Sequence, residues 1–127
     1  MPFSTIDTWV FDLDDTLYPA SSNFFPQIAE RMGLYVADTF NIPLVEAKKE
    51  QRRLFLEYGT TLSGLVVERG INVDEYAQFL MQVDYGRIPH SPALVEAVRK
   101  LPGRVLIFTN GFKEHAEACL DQLGFAH

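Results

Sequence analysis

The stretch WVFDLDDTLYP, residues 9–19, decides the fold of this 127-residue chain. It joins a short apolar run, residues 9–11, to an acidic cluster that contains Asp12, Asp14 and Asp15. A short apolar run without alternation is typical of a strand that is buried on both faces, as in a parallel sheet. Because ligands of open α/β sheets bind beyond the carboxyl ends of the strands, the acidic cluster stands where a binding site is expected.

A second apolar run, VLIF at residues 105–108, is the only other good strand candidate in the sequence. Thr109, Asn110 and Gly111 follow it directly. Between the two runs, apolar residues recur at helical spacing, which predicts a series of helices. Another helix is expected after the second run and is expected to end at Gly124.

The order of these elements predicts an α/β fold with a helical insert. Thr61 and Asn72 are expected to cap two helices of the insert. We expect a core formed by residues 1–18 and 90–127, and an inserted helical cap formed by residues 19–89. Two strands are few for a parallel sheet, which usually has more strands and cover on both faces. We therefore expect the chain to be a C-terminally truncated version of a longer protein.

Composition and charge limit the functional classes. Hydrophobic residues make up 47% and charged residues 22% of the chain, which is typical of a globular domain. Eleven basic against 17 acidic residues give a net charge of −6, which disfavours a nucleic-acid partner. The single cysteine, Cys119, excludes an internal disulfide and favours a reducing, cytoplasmic location. The sequence shows neither a signal-peptide core nor an apolar stretch of the ~20 residues that a membrane span needs.

The residues after the two strands predict a metal and phosphate site. If Asp12 and Asp14 point to one side, their carboxylates converge, and a hard cation such as Mg²⁺ relieves their repulsion. One carboxylate then serves as a nucleophile and the other moves a proton. Thr109, Asn110 and Gly111 offer donors at a helix N-terminus, which suits a phosphate group. The structural alternative is a plain turn after the first strand and a plain Thr or Asn helix cap after the second.

Two motifs resemble those of the haloacid dehalogenase (HAD) superfamily. FDLDDTLYP, residues 11–19, resembles its first motif, and IFTNG, residues 107–111, resembles its second. The long separation of the two motifs leaves room for the helical cap that is common in the superfamily. The LYP ending of the first motif and the stretch EYGTTLSGL, residues 57–65, resemble the pyrimidine 5′-nucleotidase group within it.

The resemblance implies a Rossmann-like core with an inserted helical cap and a Mg²⁺-dependent phosphatase. Asp12 would be the nucleophile that forms a phosphoaspartyl intermediate, and Asp14 the general acid and then the base. The side chain of Asp12 and the backbone carbonyl of Asp14 would hold Mg²⁺. Thr109, with Asn110 and Gly111, would bind the phosphoryl group. The implied substrate is a small phosphorylated metabolite, and the implied group acts on pyrimidine nucleoside 5′-monophosphates.

Other functions stay open beside the phosphatase. A phosphomutase fits the same motifs, whereas a dehalogenase would not need a carboxylate at the position of Asp14. The superfamily's third and fourth motifs, a basic residue and an acidic pair, have no match after the second motif, and Lys113 lies too close to that motif. A catalytically inactive fragment is therefore a further alternative. The oligomeric state is left open.

Several other features are expected to be structural. His115, on the last helix, is expected to be exposed, and Cys119 to be a small core residue. The basic residues at positions 48–53 alternate with glutamates, which predicts a solvated helix face with ion pairs. Residues 58–61 are expected to form a turn between helices or a substrate-facing part of the cap. Tyr18 is expected to line the entrance of the site or to pack in the core.

Overall fold

The computed structural model describes residues 3–125 and has the element order of an α/β protein. Its two strands are β1 (Thr8–Phe11) and β2 (Arg104–Ile107). Its helices are α1 (Phe25–Phe40), α2 (Leu44–Tyr58), α3 (Thr61–Arg69), α4 (Val73–Leu80), α5 (Pro92–Arg99) and α6 (Lys113–Leu123), with short 3-10 turns at Ala20–Ser22 and Tyr85–Arg87. Both predicted strands and the predicted helical stretches are confirmed. Within residues 3–125, no helix is both long and apolar enough to cross a membrane.

The chain forms two compact units. The strand unit comprises the residues up to 25 together with those from 84 onward, and it contains both strands, α5 and α6. The helical unit comprises residues 26–83. The assignment of residues 19–89 to a cap stays a prediction and is taken up under the proposed function.

The two strands pair in parallel, with Phe11 opposite Ile107. The pairing continues past β2, because the N–H of Phe108 donates to the carbonyl of Phe11 at 2.9 Å. The carboxyl ends of both strands therefore lie at the same edge of the sheet. The acidic turn after β1 and the polar loop after β2 start from neighbouring points on that edge.

The prediction that the strands are buried on both faces is wrong. Val10 is 62% exposed and Leu106 is 44% exposed, and Phe108, just after β2, is 73% exposed. The described part of the strand unit supplies two strands and two longer helices, which is too little structure to cover both faces of a sheet.

The core of the strand unit is aromatic at its centre. Tyr18 and Phe24 are fully buried, and their rings meet edge to face with centroids 5.3 Å apart. Tyr85 packs on Phe24 with a centroid separation of 5.1 Å. Leu13 and Leu17 are also buried, so the turn after β1 is anchored in the core on both sides of Asp14 and Asp15.

Several predicted helix ends are confirmed, and one cap in the helical unit is displaced by one residue. The side chain of Asn72 caps α4, and Gly124 ends α6 with a φ of 105°. The cap of α3 is Thr60 rather than the predicted Thr61. Thr60 has an extended backbone, and its hydroxyl accepts the N–H three residues later at 3.0 Å, whereas Thr61 is buried inside the first turn. Residues 58–61 therefore include a turn between α2 and α3, and their substrate-facing role stays a prediction.

Arg53 lies at the centre of an ion-pair cluster in the helical unit. Its guanidinium contacts Glu50 at 2.7 Å and Glu57 at 3.1 Å on α2, and Glu68 on α3 at 2.7 Å. The hydroxyl of Tyr58 also donates to Glu68, at 2.8 Å. The hydrogen bonds from Arg53 and Tyr58 lower the pKa of Glu68 to about 2. The predicted ion pairs on this face of α2 are confirmed, and α3 contributes a partner that the prediction lacked.

Candidate active site

Asp12 lies exposed in the turn that follows β1. Its Oδ1 accepts the N–H of Leu13 at 2.9 Å, and its Oδ2 accepts the hydroxyl of Thr16 at 3.2 Å. The turn itself is closed by bonds from the N–H groups of Thr16 and Leu17 to the carbonyl of Leu13. These contacts hold the Asp12 carboxylate in place at the carboxyl edge of the sheet while leaving it open to solvent.

Asp14 is half-buried, and its carboxylate has a different set of partners. Its Oδ1 accepts the hydroxyl of Tyr18 at 2.7 Å and lies 2.9 Å from Nε2 of His115. Burial alone would raise the pKa of Asp14, but the hydrogen bonds from His115 and Tyr18 and the charge of His115 outweigh it. The pKa of Asp14 therefore lies below its usual value, and the group is held as a carboxylate. Tyr18 packs in the core rather than standing free at an entrance, and its pKa is raised by burial and by Asp14.

The prediction that His115 is exposed is wrong. The residue is 6% exposed, because α6 turns the face that carries residues 115, 119 and 123 into the core. Its Nε2 faces Asp14, and its Nδ1 lies 2.8 Å from the hydroxyl of Tyr85. Its ring also stacks on Phe24, with a centroid separation of 6.1 Å and an interplanar angle of 18°. The imidazole thus joins α6 to the turn after β1.

Cys119 is fully buried, as predicted for a small core residue. Its Sγ lies 3.6 Å from Nε2 of His115, one helical turn away. Burial and the nearby charge of Asp14 raise the pKa of the Cys119 thiol to about 12. The thiol is therefore neutral near pH 7 and is not activated as a nucleophile.

Among residues 3–125, the one group of three His, Cys, Asp or Glu side chains with ligand atoms within 4.8 Å of one another is Asp14, His115 and Cys119. Asp12 is outside this group, and the two carboxylates that were expected to converge have separate hydrogen-bond partners. Repulsion between the two is thus reduced by protein donors on each. The three side chains contact one another in a buried network centred on Nε2 of His115.

The loop after β2 is placed differently from the prediction. Thr109 accepts the N–H of Gly111 on its hydroxyl oxygen at 3.0 Å, which closes a local turn. Helix α6 begins only at Lys113, with Phe112 in the N-cap position, so neither Thr109 nor Asn110 caps it. The loop is close to the imidazole described above, because a Cβ on Gly111 would lie 3.0 Å from the ring of His115.

A hard cation finds one well-placed ligand here. The Asp12 carboxylate is exposed at the sheet edge, and Mg²⁺ takes carboxylate and carbonyl oxygens. The carboxylate of Asp14 offers only Oδ2, because its Oδ1 is bound to Tyr18 and His115. The Asp12 side chain is therefore a suitable ligand, as the resemblance implies.

Residues 6–127 match the family model of the haloacid dehalogenase-like hydrolases, which are classed as hydrolases. The chain belongs to the haloacid dehalogenase-like hydrolases. The match includes both strands, the turn that carries Asp12 and Asp14, and the Thr109–Gly111 loop. It confirms the HAD resemblance and supports hydrolase activity in general, and the small parallel sheet fits an α/β fold.

The sequence does not predict the place of two residues in the candidate site of this HAD-like hydrolase, His115 and Tyr85. The sequence favours a surface position for His115, because Ala116, Leu120 and Leu123 define an apolar face of α6. The spacing of 115, 119 and 123 carried the missing signal, since it places His115 on one face with Cys119 and Leu123. Tyr85 lies in a 3-10 turn, and no periodic sequence pattern there predicts its contact with His115.

Proposed function

We propose that this HAD-like hydrolase is a Mg²⁺-dependent phosphomonoesterase that works through a phosphoaspartyl intermediate on Asp12. One observation carries the proposal: the Asp12 carboxylate is exposed just past β1 and is held by the N–H of Leu13 and the hydroxyl of Thr16. The loop with the second motif starts from the same sheet edge. A carboxylate that is fixed and open to solvent is suited to attack a phosphorus atom.

The reaction proceeds in two steps. An oxygen of Asp12 attacks phosphorus, the bond from phosphorus to the alcohol oxygen breaks, and the leaving alcohol takes a proton from Asp14. Water then attacks the phosphoaspartyl phosphorus and gives its proton to Asp14, which releases inorganic phosphate and restores the Asp12 carboxylate. The hydroxyl proton of Thr109 and the amide of Asn110 serve as donors to the phosphoryl oxygens, next to Gly111.

Asp14 is expected to change its protonation state between the steps. Its lowered pKa and its bonds to Tyr18 and His115 favour the carboxylate, which is the form that accepts a proton from water. Donation to the leaving alcohol requires the carboxyl to carry a proton first. The base role in the second step is therefore the one that the resting arrangement favours.

Asp12, through its side chain, and Asp14, through its carbonyl, are proposed to hold Mg²⁺. When bound, the cation supplies positive charge that offsets the repulsion between the nucleophile and the phosphate. Binding and attack thus both use the carboxylate of Asp12, so its removal affects both.

The proposed substrate is a small phosphorylated metabolite, and within that class a pyrimidine nucleoside 5′-monophosphate. This rests on the likeness of the LYP ending and of residues 57–65 to the pyrimidine 5′-nucleotidase group. The helical insert, residues 19–89, is proposed to be a cap on a Rossmann-like core and to select the leaving group, as lids do. A cytoplasmic location stays a prediction.

The test measures phosphate release from uridine 5′-monophosphate and p-nitrophenyl phosphate, with Mg²⁺ and with a chelator. Wild type is expected to require Mg²⁺, and Asp12→Asn is expected to lose at least about a thousandfold in kcat, because the nucleophile is gone. Asp15→Asn is the matched control. Asp15 is the exposed acid of the same turn, and its φ of 55° is one that asparagine tolerates.

Two outcomes contradict the proposal. Turnover of Asp12→Asn at the wild-type rate removes Asp12 from the nucleophile role. The absence of Mg²⁺-dependent release from both substrates by wild type favours the alternative of a catalytically inactive chain. If phosphate is released from p-nitrophenyl phosphate alone, the result supports phosphatase activity and contradicts the nucleotide as substrate.

A further inference from the structure

The carboxylate of Asp14 is clamped on one of its two oxygens. Tyr18 donates to Oδ1 at 2.7 Å, and Nε2 of His115 lies 2.9 Å from the same atom. Within the described residues, both bonds end on Oδ1, which leaves Oδ2 to exchange a proton with substrate or water. The direction of Oδ2 is then set by where the two donors lie.

His115 is itself fixed by its surroundings. Its Nδ1 lies 2.8 Å from the hydroxyl of Tyr85, and its ring stacks on the fully buried Phe24. Gly111 approaches the ring from the loop after β2. Rotation of the imidazole would break several buried contacts at once, so its Nε2 is a rigid reference point for Asp14.

We propose that His115 is a positioning residue that, with Tyr85 behind it, holds the Asp14 carboxylate where its second oxygen meets the leaving alcohol. The proposal rests on the proposed function, in which Asp14 moves that proton. His115 touches neither substrate nor phosphorus and acts through Asp14. A proton donor that is displaced by even 1 Å loses much of its effect, which is why a rigid support on a helix matters.

The experiment compares phenyl phosphate with p-nitrophenyl phosphate, which differ in leaving-group basicity far more than in size. Phenolate is the more basic leaving group and depends more on proton donation, so the ratio of the two kcat/KM values reports how well Asp14 is placed. His115→Leu is expected to lower kcat/KM for phenyl phosphate about tenfold more than for p-nitrophenyl phosphate. His115→Gln keeps an N–H donor and is expected to restore most of the ratio.

Two further variants separate positioning from simple loss of structure. Tyr85→Phe keeps the aromatic packing and is expected to move the ratio in the same direction by about threefold. Cys119→Ala alters the same buried face of α6 without removing a donor to Asp14, and it is expected to leave the ratio unchanged. Equal losses on both substrates in His115→Leu and His115→Gln, with no change in Tyr85→Phe, would overturn the positioning role.

The failures of the two proposals are distinguishable. Turnover that requires Asp12 but shows an unchanged ratio in every variant overturns this inference alone. Turnover that does not require Asp12 overturns the proposed function and this inference with it.

A measurement without turnover tests the contact itself. In protein labelled with ¹⁵N-histidine, the Nε2–H signal of His115 is expected to exchange slowly with solvent and to be lost in Asp14→Ala. His90, which is exposed, is the internal control for fast exchange. Exchange of His115 as fast as that of His90 overturns the inference.

Discussion

Two carboxylates of this chain, Asp14 in the strand unit and Glu68 in the helical unit, are held by the same kinds of donor. Each accepts a tyrosine hydroxyl, at 2.7 Å and 2.8 Å respectively, and each faces a basic side chain, His115 or Arg53. The pKa of each lies below its usual value. The basic partners of the two carboxylates differ in burial, and this difference separates the candidate site from the ion-pair cluster of the helical unit.

Burial of the basic partner distinguishes the two clusters. The His115 side chain is 7% exposed, whereas that of Arg53 is 35% exposed. At Asp14, burial is the largest single influence on the pKa, and the donors have to overcome it; at Glu68, the hydrogen bonds from Arg53 are the largest influence. The two carboxylates are themselves exposed to about the same degree, 22% for Asp14 and 23% for Glu68, so the difference lies in the basic partner. Water can take the place of the exposed Arg53 more readily than that of the buried His115. Donor loss should therefore cost more at Asp14.

The largest effect is expected from removing the basic partner of each carboxylate. His115→Ala is expected to lower the free energy of unfolding of the strand unit by about 2–4 kcal/mol, because it leaves a cavity and a half-buried charge with one donor fewer. Arg53→Ala is expected to cost clearly less in the helical unit, because water replaces the guanidinium at Glu68.

Urea unfolding followed by two probes checks this order. Trp9 is the single tryptophan of the chain and lies in β1, so its fluorescence reports the strand unit. The circular dichroism at 222 nm is dominated by helix and reports the helical unit as well. Equal losses in the two variants would mean that burial does not distinguish the clusters.

A smaller effect is expected from removing the hydroxyl of each tyrosine. Tyr18→Phe is expected to cost about 1–2 kcal/mol, because a bond to a charged, half-buried acceptor is lost while the ring packing on Phe24 is kept. Tyr58→Phe is expected to cost less, since Glu68 keeps Arg53 and gains water. The same two-probe unfolding measures both, and a larger loss in Tyr58→Phe would reverse the comparison.

The elements of the fold were predictable because each has a local cause in the sequence. The cap at Asn72 and the stop at Gly124 follow from side-chain and backbone preferences of single residues. The exposure of Val10 and Leu106 did not follow from the sequence, because an apolar run indicates a strand but not how much structure covers it. The burial of a strand depends on all the elements that pack against it in the unit.

The candidate site was also predictable only in part. The placement of Asp12 and Thr109 at one sheet edge followed from the motifs and from the parallel pairing of β1 and β2. The contact between Asp14 and His115 joins residues 101 positions apart, so no local pattern contains it. Only the packing of α6 brings the imidazole to the acidic turn.

The smallest expected effect concerns how stability depends on pH. The pKa of Glu68 is about 2 in the folded chain against a usual 4.5, so its contribution to stability is complete above pH 4.5 and is lost as the pH falls toward 2. The melting temperature of the wild type, followed at 222 nm, is therefore expected to fall more steeply over that range than that of Glu68→Gln. Glu46→Gln is the control, because Glu46 and Lys49 form a long, exposed pair at 3.7 Å, and its curve is expected to parallel the wild type. A Glu68→Gln curve that also parallels the wild type would show that Arg53 and Tyr58 do not hold this carboxylate in solution. Glu68 would then resemble Asp14 in its contacts, but those contacts would not contribute to stability.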